Sequence, residues 1–435
     1  VKGAGRDALL LVALKAVLGA WVLHLGFTHV SDDDYSRVVI AQLFAHAPHL
    51  DPSGTSWLPF PFWTTGGVMM VLGRSLARAR EVAFFLGAIS VVFPYLAMRA
   101  VGTTRLVAAL ATLIAAATPW SAWLGVATVP EALTAGLVAA GAITSSAASG
   151  RARVWGGVAL LAASLSRYET WGACGIVGIV AAWRGGSAWR RGELRTARVD
   201  AAVAVLCVLG PAAWIVWNAC VHGDAFHFVA RVARFQRALP GGEAPLGERV
   251  FTYPLALANG APLDAALGVV ALVGLRDGEL RRRWSVPLAA AGAILAFLIV
   301  SAVRETTATH HAERAIVGTL PVLAAAGIDA VRVWTGRTRV VAWRGACASI
   351  ATAGAALALF GGQAFPGGSA GEDRSQEIAR GEELAREGVG HVEVVPCAYE
   401  HFALMAGFGR PEDVDVQPSA SLGESTCPKS IEVRP

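Results

Sequence analysis

Apolar residues come in long runs along this chain, separated by short polar stretches and clusters of arginine. The first run extends from about Leu9 to Val30, behind Lys2 and Arg6. Others fall near 81–98, 106–123, 130–149, 154–166, 170–183, 199–217, 263–275, 285–303, 315–331 and 340–360. An α-helix needs about 20 apolar residues to cross a bilayer, so the pattern predicts a polytopic all-α bundle of about eleven transmembrane helices. No small-x-small cleavage site follows the first run, which therefore reads as an uncleaved helix rather than a signal peptide. The run 57–73 (WLPFPFWTTGGVMMVLG) stands apart. Pro59, Pro61, Gly66, Gly67 and an aromatic front suit an interfacial or re-entrant segment better than a span.

Arginine placement orients the helices. With 57–73 not spanning, the clusters Arg99/Arg105, Arg151/Arg153, Arg184–Arg198, Arg276–Arg283 and Arg332–Arg339 share a side with Lys2 and Arg6. The positive-inside rule makes that side the cytoplasm. The segments 31–80, 121–130, 167–169, 218–262 and 304–314 then lie outside, as does the tail. Residues 1–361 form the membrane domain in this reading, with 31–80 as its large outer loop. Residues 362–435 form a small α/β domain: a Gly-rich linker, a charged helix (DRSQEIARGEELAREG), a strand (HVEVVPC), a second helix (AYEHFALMAG), and strands near DVDVQP and SIEVRP. So small a unit is expected to lean on the membrane domain or to use a Cys397–Cys427 disulfide.

Composition agrees. The 435 residues are 54% hydrophobic and only 16% charged, against roughly 25% in a typical soluble domain. Disorder and a disulfide-stapled miniprotein are excluded. The net charge of +5 is no nucleic-acid signal, because the arginines sit between apolar runs. The six cysteines show no metal or redox spacing. Lys15, inside the first run, is expected to snorkel or to face the bundle.

Nearly all interesting polar chemistry falls outside. The strongest feature is Ser31-Asp32-Asp33-Asp34-Tyr35, directly after the first run. Three adjacent carboxylates repel one another unless a cation, a proton or a hydroxyl compensates. They read as a general base, with or without a divalent cation shared by Asp32 and Asp34. They read equally as a solvated loop that starts the next helix, where acidic residues suit the dipole.

An apolar helix that ends in an acidic pair, one residue and Tyr, followed by an amphipathic helix and an aromatic-Pro stretch, resembles the polytopic GT-C glycosyltransferases. The resemblance is to the bacterial family-39-like group, related to protein O-mannosyltransferases and to the aminoarabinose transferase of lipid A. Pro130-Glu131 at the start of one span and Ser166-Arg167-Tyr168-Glu169 at the end of another extend it over most of the chain. The resemblance implies transfer of a sugar from a polyprenyl-phosphate donor to a glycan, lipid or protein acceptor outside the bacterial inner membrane, with inversion at the anomeric carbon. It places the essential acidic pair on Asp32 and Asp33. A third Asp and the lack of Glu leave open which carboxylate acts.

In this chemistry cations must meet the charge that grows on the leaving phosphate. Arg167, Arg304, His310, His311 and Arg314 are the candidates. An ion pair of Arg167 with Glu169 or Glu131 is the structural alternative, and adjacent histidines diverge too much for a metal site. Tyr35, Trp57, Glu131, Tyr168 and Glu169 are candidate substrate contacts, although aromatics also serve as interfacial anchors. In 218–262, Arg231, Arg234 and Arg237 alternate with Phe228, Val232 and Phe235, which predicts a basic amphipathic helix in the headgroup layer. The competing class is a transporter or lipid flippase, but transporters place charges mid-span and repeat internally. Here the charges gather at outer ends and the halves do not echo each other.

Overall fold

The computed structural model describes residues 4–238, 245–304, 311–336, 373–396, 399–417 and 432–434. Helices dominate: α1 (Ala4–His24), α2 (Asp33–His46), α3 (Phe60–Leu72), α4 (Leu76–Ile89), α5 (Val92–Ala100), α6 (Arg105–Ala117), α7 (Pro119–Leu124), α8 (Glu131–Thr144), α9 (Gly150–Ser164) and α10 (Thr170–Arg190). Then come α11 (Leu194–His222), α12 (His227–Ala238), α13 (Leu246–Gly260), α14 (Pro262–Gly274), α15 (Gly278–Val303), α16 (Ala312–Ile316) and α17 (Leu320–Thr335).

Each apolar run within the described residues forms helix, and the chain is a mostly helical integral membrane protein. By length and apolarity, four helical stretches among the described residues can cross a bilayer: Ala4–His24, Leu76–Ala100, Leu194–His222 and Gly278–Val303. A fifth is α13 with α14, bent by 106° at the break before Pro262. The other runs give helices that are shorter or, like the 21-residue α10, less apolar, so not every one of the expected eleven spans meets both conditions. The run 340–360 lies outside the described residues. The run 106–123 is split, because Thr118 takes an extended conformation before Pro119 and starts α7. The helix α13 occupies residues assigned above to an outer loop, since its Pro254 and Gly260 obscure a helical pattern. The segment 57–73 contains a helix of only 13 residues, α3, whose end presents Met70, Val71 and Leu72 to the surroundings.

The central element is α8, buried along nearly its whole length. Its alanines and glycines let neighbouring backbones come close, as membrane helix contacts require. Lys15 faces inward, donating to Ala116 O (2.9 Å) and Ser121 O (2.7 Å). These carbonyls lie on either side of the α6–α7 break, so the ammonium bridges the two helices across it. The predicted amphipathic helix forms as α12, with Phe228 buried and Arg231 and Arg234 exposed.

In the tail, α18 (Ser375–Arg386), β1 (Val392–Val395), α19 (His401–Phe408), β2 (Val414–Val416) and β3 (Glu432–Arg434) follow in order. The sheet order is β2-β1-β3, with β1 parallel to β2 and antiparallel to β3. A Cβ on Gly381 would sit 2.2 Å from Leu404 O, so only glycine lets α18 lie this close to α19. The apolar face of this unit (Leu384, Val392, Leu404, Phe408) shares one core with Tyr35, Val38 and Val39 of α2 and Leu76 of α4. Gln42 ties the same contact, donating to Arg74 O (2.8 Å) and Ala406 O (2.9 Å). Cys397 and Cys427 lie outside the described residues.

Candidate active site

The acidic triplet opens α2, and its three carboxylates go three different ways. Asp34 is buried. It accepts from the backbone N–H groups of Val30 (3.1 Å), Ser31 (3.3 Å) and Thr128 (3.1 Å). Burial pushes its carboxyl above the usual range. It fastens the 25–32 loop to the loop before α8. Asp32 stands at the N-cap of α2 but makes no capping bond. Arg374 of the tail holds it instead, with Nε on Oδ1 and Nη2 on Oδ2, both at 2.9 Å. Asp33 alone turns toward the membrane helices. Its Oδ2 accepts from Arg314 Nη1 at 3.3 Å, and its side chain is 36% exposed.

The triplet therefore does not behave as a solvated loop. Asp32 and Asp34, the pair considered for a shared cation, serve different partners here. Among the described residues no group of three or more His, Cys, Asp or Glu side chains is arranged to hold a metal.

Next to Asp33 lies a buried ionic cluster. Glu131, the first residue of α8, is 1% exposed. It accepts from Arg167 Nη1 (2.6 Å) and from Arg314 Nη2 (2.9 Å) and Nε (3.1 Å). Arg167 also donates through Nε to Glu169. Burying a carboxylate costs several kcal/mol, and two guanidiniums offset it here. Burial alone would depress both arginines. Glu169 and Glu131 hold Arg167 above its ordinary value, and Glu131 and Asp33 do the same for Arg314. Both ion pairs considered for Arg167 are thus present together. Four segments far apart in sequence meet here: the start of α2, the start of α8, the α9–α10 turn and α16.

Beside this cluster runs a cleft of about 610 Å³, lined by α2, α3, α4 and α8. Its walls are largely apolar (Phe60, Phe62, Leu86, Leu133), with Thr64, Thr65, Thr128 and Ser166 among them. Arg37 of α2 reaches into it. The guanidinium lies 4.3 Å from the Trp57 ring centroid, a cation–π contact. Its Nε is buried without a hydrogen-bond partner, and no carboxylate pairs with it among the described ion pairs. Burial lowers its pKa to about 10, so it stays cationic at neutral pH. Arg37 escaped the sequence reading. The signal was its position four residues after Asp33, on the same face of α2.

The remaining candidates sort clearly. Tyr35 is buried behind α2, its hydroxyl 3.2 Å from His29 Nδ1, and faces the tail core rather than the cleft. The Trp57 face expected to stack on a sugar carries Arg37 instead, and the ring also stacks on Phe62. Tyr168 donates to Ser56 O (2.6 Å) and accepts from Trp214 Nε1 (2.9 Å), with its ring against Phe228 at 4.8 Å. That contact braces α12 and the outer loop. Arg304 is exposed at the end of α15, with no described contact to the cluster. His311 packs its ring 5.1 Å from that of Trp120. His310 lies outside the described residues.

No family model matches the chain, and no curated protein matches it either. Solved structures do. ArnT from Cupriavidus metallidurans bound to undecaprenyl phosphate superposes with a TM-score of 0.60, at 17% identity, over 94% of this chain and 89% of that one. The apo state of the same protein gives 0.57, at 16% identity, over 95% and 90%. The chain has the fold of that protein across nearly its whole length.

Proposed function

We propose that this chain is a membrane glycosyltransferase that moves one sugar from a polyprenyl-phosphate donor to an acceptor at the extracytoplasmic face, in a bacterial inner membrane. The observation that carries the reading is the meeting of Asp33, Glu131, Arg167 and Arg314 at one end of an apolar bundle, beside an apolar-walled cleft that holds an arginine with no ion-pair partner among the described residues. The ArnT fold, in a protein solved with undecaprenyl phosphate, supports the same donor class. In this orientation the N-terminus is cytoplasmic and the tail lies outside, on the side of the acidic loop.

The reaction then runs as follows. The isoprenoid tail lies along the apolar walls of the cleft. Asp33, the most exposed carboxylate of the triplet, takes the proton of an acceptor hydroxyl. That oxygen bonds to the anomeric carbon as the bond from carbon to phosphate oxygen breaks, and the electron pair leaves with the phosphate. Arg37 lies closest to hand for the growing negative charge, because no carboxylate already claims it. A preorganised cation in a water-poor site contributes several kcal/mol to such a step. Glu131 fixes Arg314, and Arg314 orients Asp33 through their ion pair. Arg167 supports the cluster rather than the phosphate.

Glycan analysis of cells that lack the gene, complemented with wild type or Asp33→Asn, tests the proposal. Wild type restores the glycan and Asp33→Asn does not, at equal expression. Restoration by both would reject the assignment.

A further inference from the structure

We infer that Arg374, in the tail, is a positioning residue that selects which carboxylate of the triplet faces the reaction. The inference rests on the function proposed above. Three successive carboxylates cannot all point into one small site, because their mutual repulsion would raise the cost of ionising any of them. The fold separates them with two devices. Backbone donors draw Asp34 inward. Arg374 takes Asp32 through a bidentate contact, the strongest and most directional pairing a carboxylate makes with an arginine. The Arg374 side chain is 9% exposed and that of Asp32 is 24% exposed, so water screens the pair only partly. Asp33 is left as the one member of the triplet that reaches the Glu131–Arg314 cluster.

The tail does not need this pair in order to dock. Gln42 bonds to Arg74 and Ala406, Arg74 Nη1 pairs with Glu412 at 2.6 Å, and a shared apolar core lies between α2 and the tail helices. Removing the Arg374 guanidinium therefore frees Asp32 without detaching the tail. A freed Asp32 competes with Asp33 for Arg314 and places a second negative charge beside the base.

The test uses the full-length purified protein in lipid nanodiscs, with a polyprenyl-phosphate sugar as donor. Arg374→Gln should lower kcat by about tenfold or more, with donor KM changed by less than about twofold, the pattern of a lost alignment rather than lost binding. Adding Asp32→Asn to Arg374→Gln should restore most of kcat, because the competing charge is gone. Arg374→Lys, which keeps the charge but not the fork, should fall between. A wild-type kcat in Arg374→Gln, or a double variant as slow as Arg374→Gln alone, overturns the inference. Hydrogen–deuterium exchange over residues 28–36 judges the latch without reference to activity. Exchange there should rise in Arg374→Gln, and an unchanged profile overturns the inference. If wild type transfers no sugar from any polyprenyl-phosphate donor, the functional reading fails while the exchange result still decides the latch.

Discussion

The two ends of the helical bundle are built from the same ingredients and differ in what they leave unused. At the ends of α8, α10 and α17 remote from the cleft, buried carboxylates again sit between arginines. Asp329 accepts from Arg332 Nε (2.9 Å), Trp284 Nε1 (2.9 Å) and Arg283. Asp200 lies 3.3 Å from Arg153 Nε and 3.7 Å from Arg184 Nη2, and both arginines also donate to carbonyls at the end of α8. The Asp329 cluster is closed by hydrogen bonds, Asp200 is held by ion pairs alone with neither carboxylate oxygen hydrogen-bonded, and both clusters fasten one helix to the next. The cluster at Glu131 uses the same bonds but adds a half-exposed carboxylate, an unpaired arginine and a cleft. A buried carboxylate between guanidiniums is therefore no marker of function in this protein. The surplus beside it is what the proposed function draws on.

That contrast can be broken or sharpened by substitution. The largest effect expected is from Asp33→Asn, which should cut sugar transfer by about 100-fold or more with unchanged thermal unfolding, measured on the purified protein. Glu131→Gln and Asp329→Asn make a matched pair. Each removes a buried carboxylate from between two arginines and should cost about 3–5 kcal/mol, read as a lowered midpoint of thermal unfolding in detergent. Only Glu131→Gln should also reduce turnover per folded molecule, and equal losses of turnover in both would erase the distinction between the ends.

Arg37→Ala should lower kcat/KM for the donor by about 10–100-fold and leave stability nearly unchanged. Its titration adds a pH signature. The arginine must be cationic, and its pKa is depressed to about 10, so transfer should persist at neutral pH and fall as pH rises through about 10. Arg37→Lys, starting from a lower intrinsic pKa, should move that alkaline limb downward. The smallest effect is expected from Asp200→Asn. Its ion pairs are longer, so about 1–2 kcal/mol of stability should be lost with transfer per folded molecule unaltered.

The helices were legible in the sequence because hydrophobic run length is a direct record of burial in lipid. The tail elements were legible because their alternation is clean, from Val392–Val395 to Glu432–Arg434. The meeting of the acidic loop with Glu131, Arg167 and Arg314 followed from sidedness: residues at the same end of neighbouring helices converge. Sequence could not show how each carboxylate is used. Asp32, Asp33 and Asp34 look alike in a string, and what separates them is contact with Arg374, Arg314 and Thr128, which lie 94 to 342 residues away. Arg37 was hidden for the opposite reason, since its importance lies in lacking a partner. Nor could the sequence show that Tyr168 and Trp57 contact Phe228 and Arg37, because aromatics that brace a loop and aromatics that cradle a sugar have the same composition.

Lys15 carries one more consequence. Its ammonium grips two carbonyls at the corner between α6 and α7, which sets the rotation of α1 about its own axis. The acidic loop leaves the end of that helix within a few residues. The carboxylates that follow therefore hold a fixed bearing, because a single amine deep in the apolar run keeps the first helix from turning.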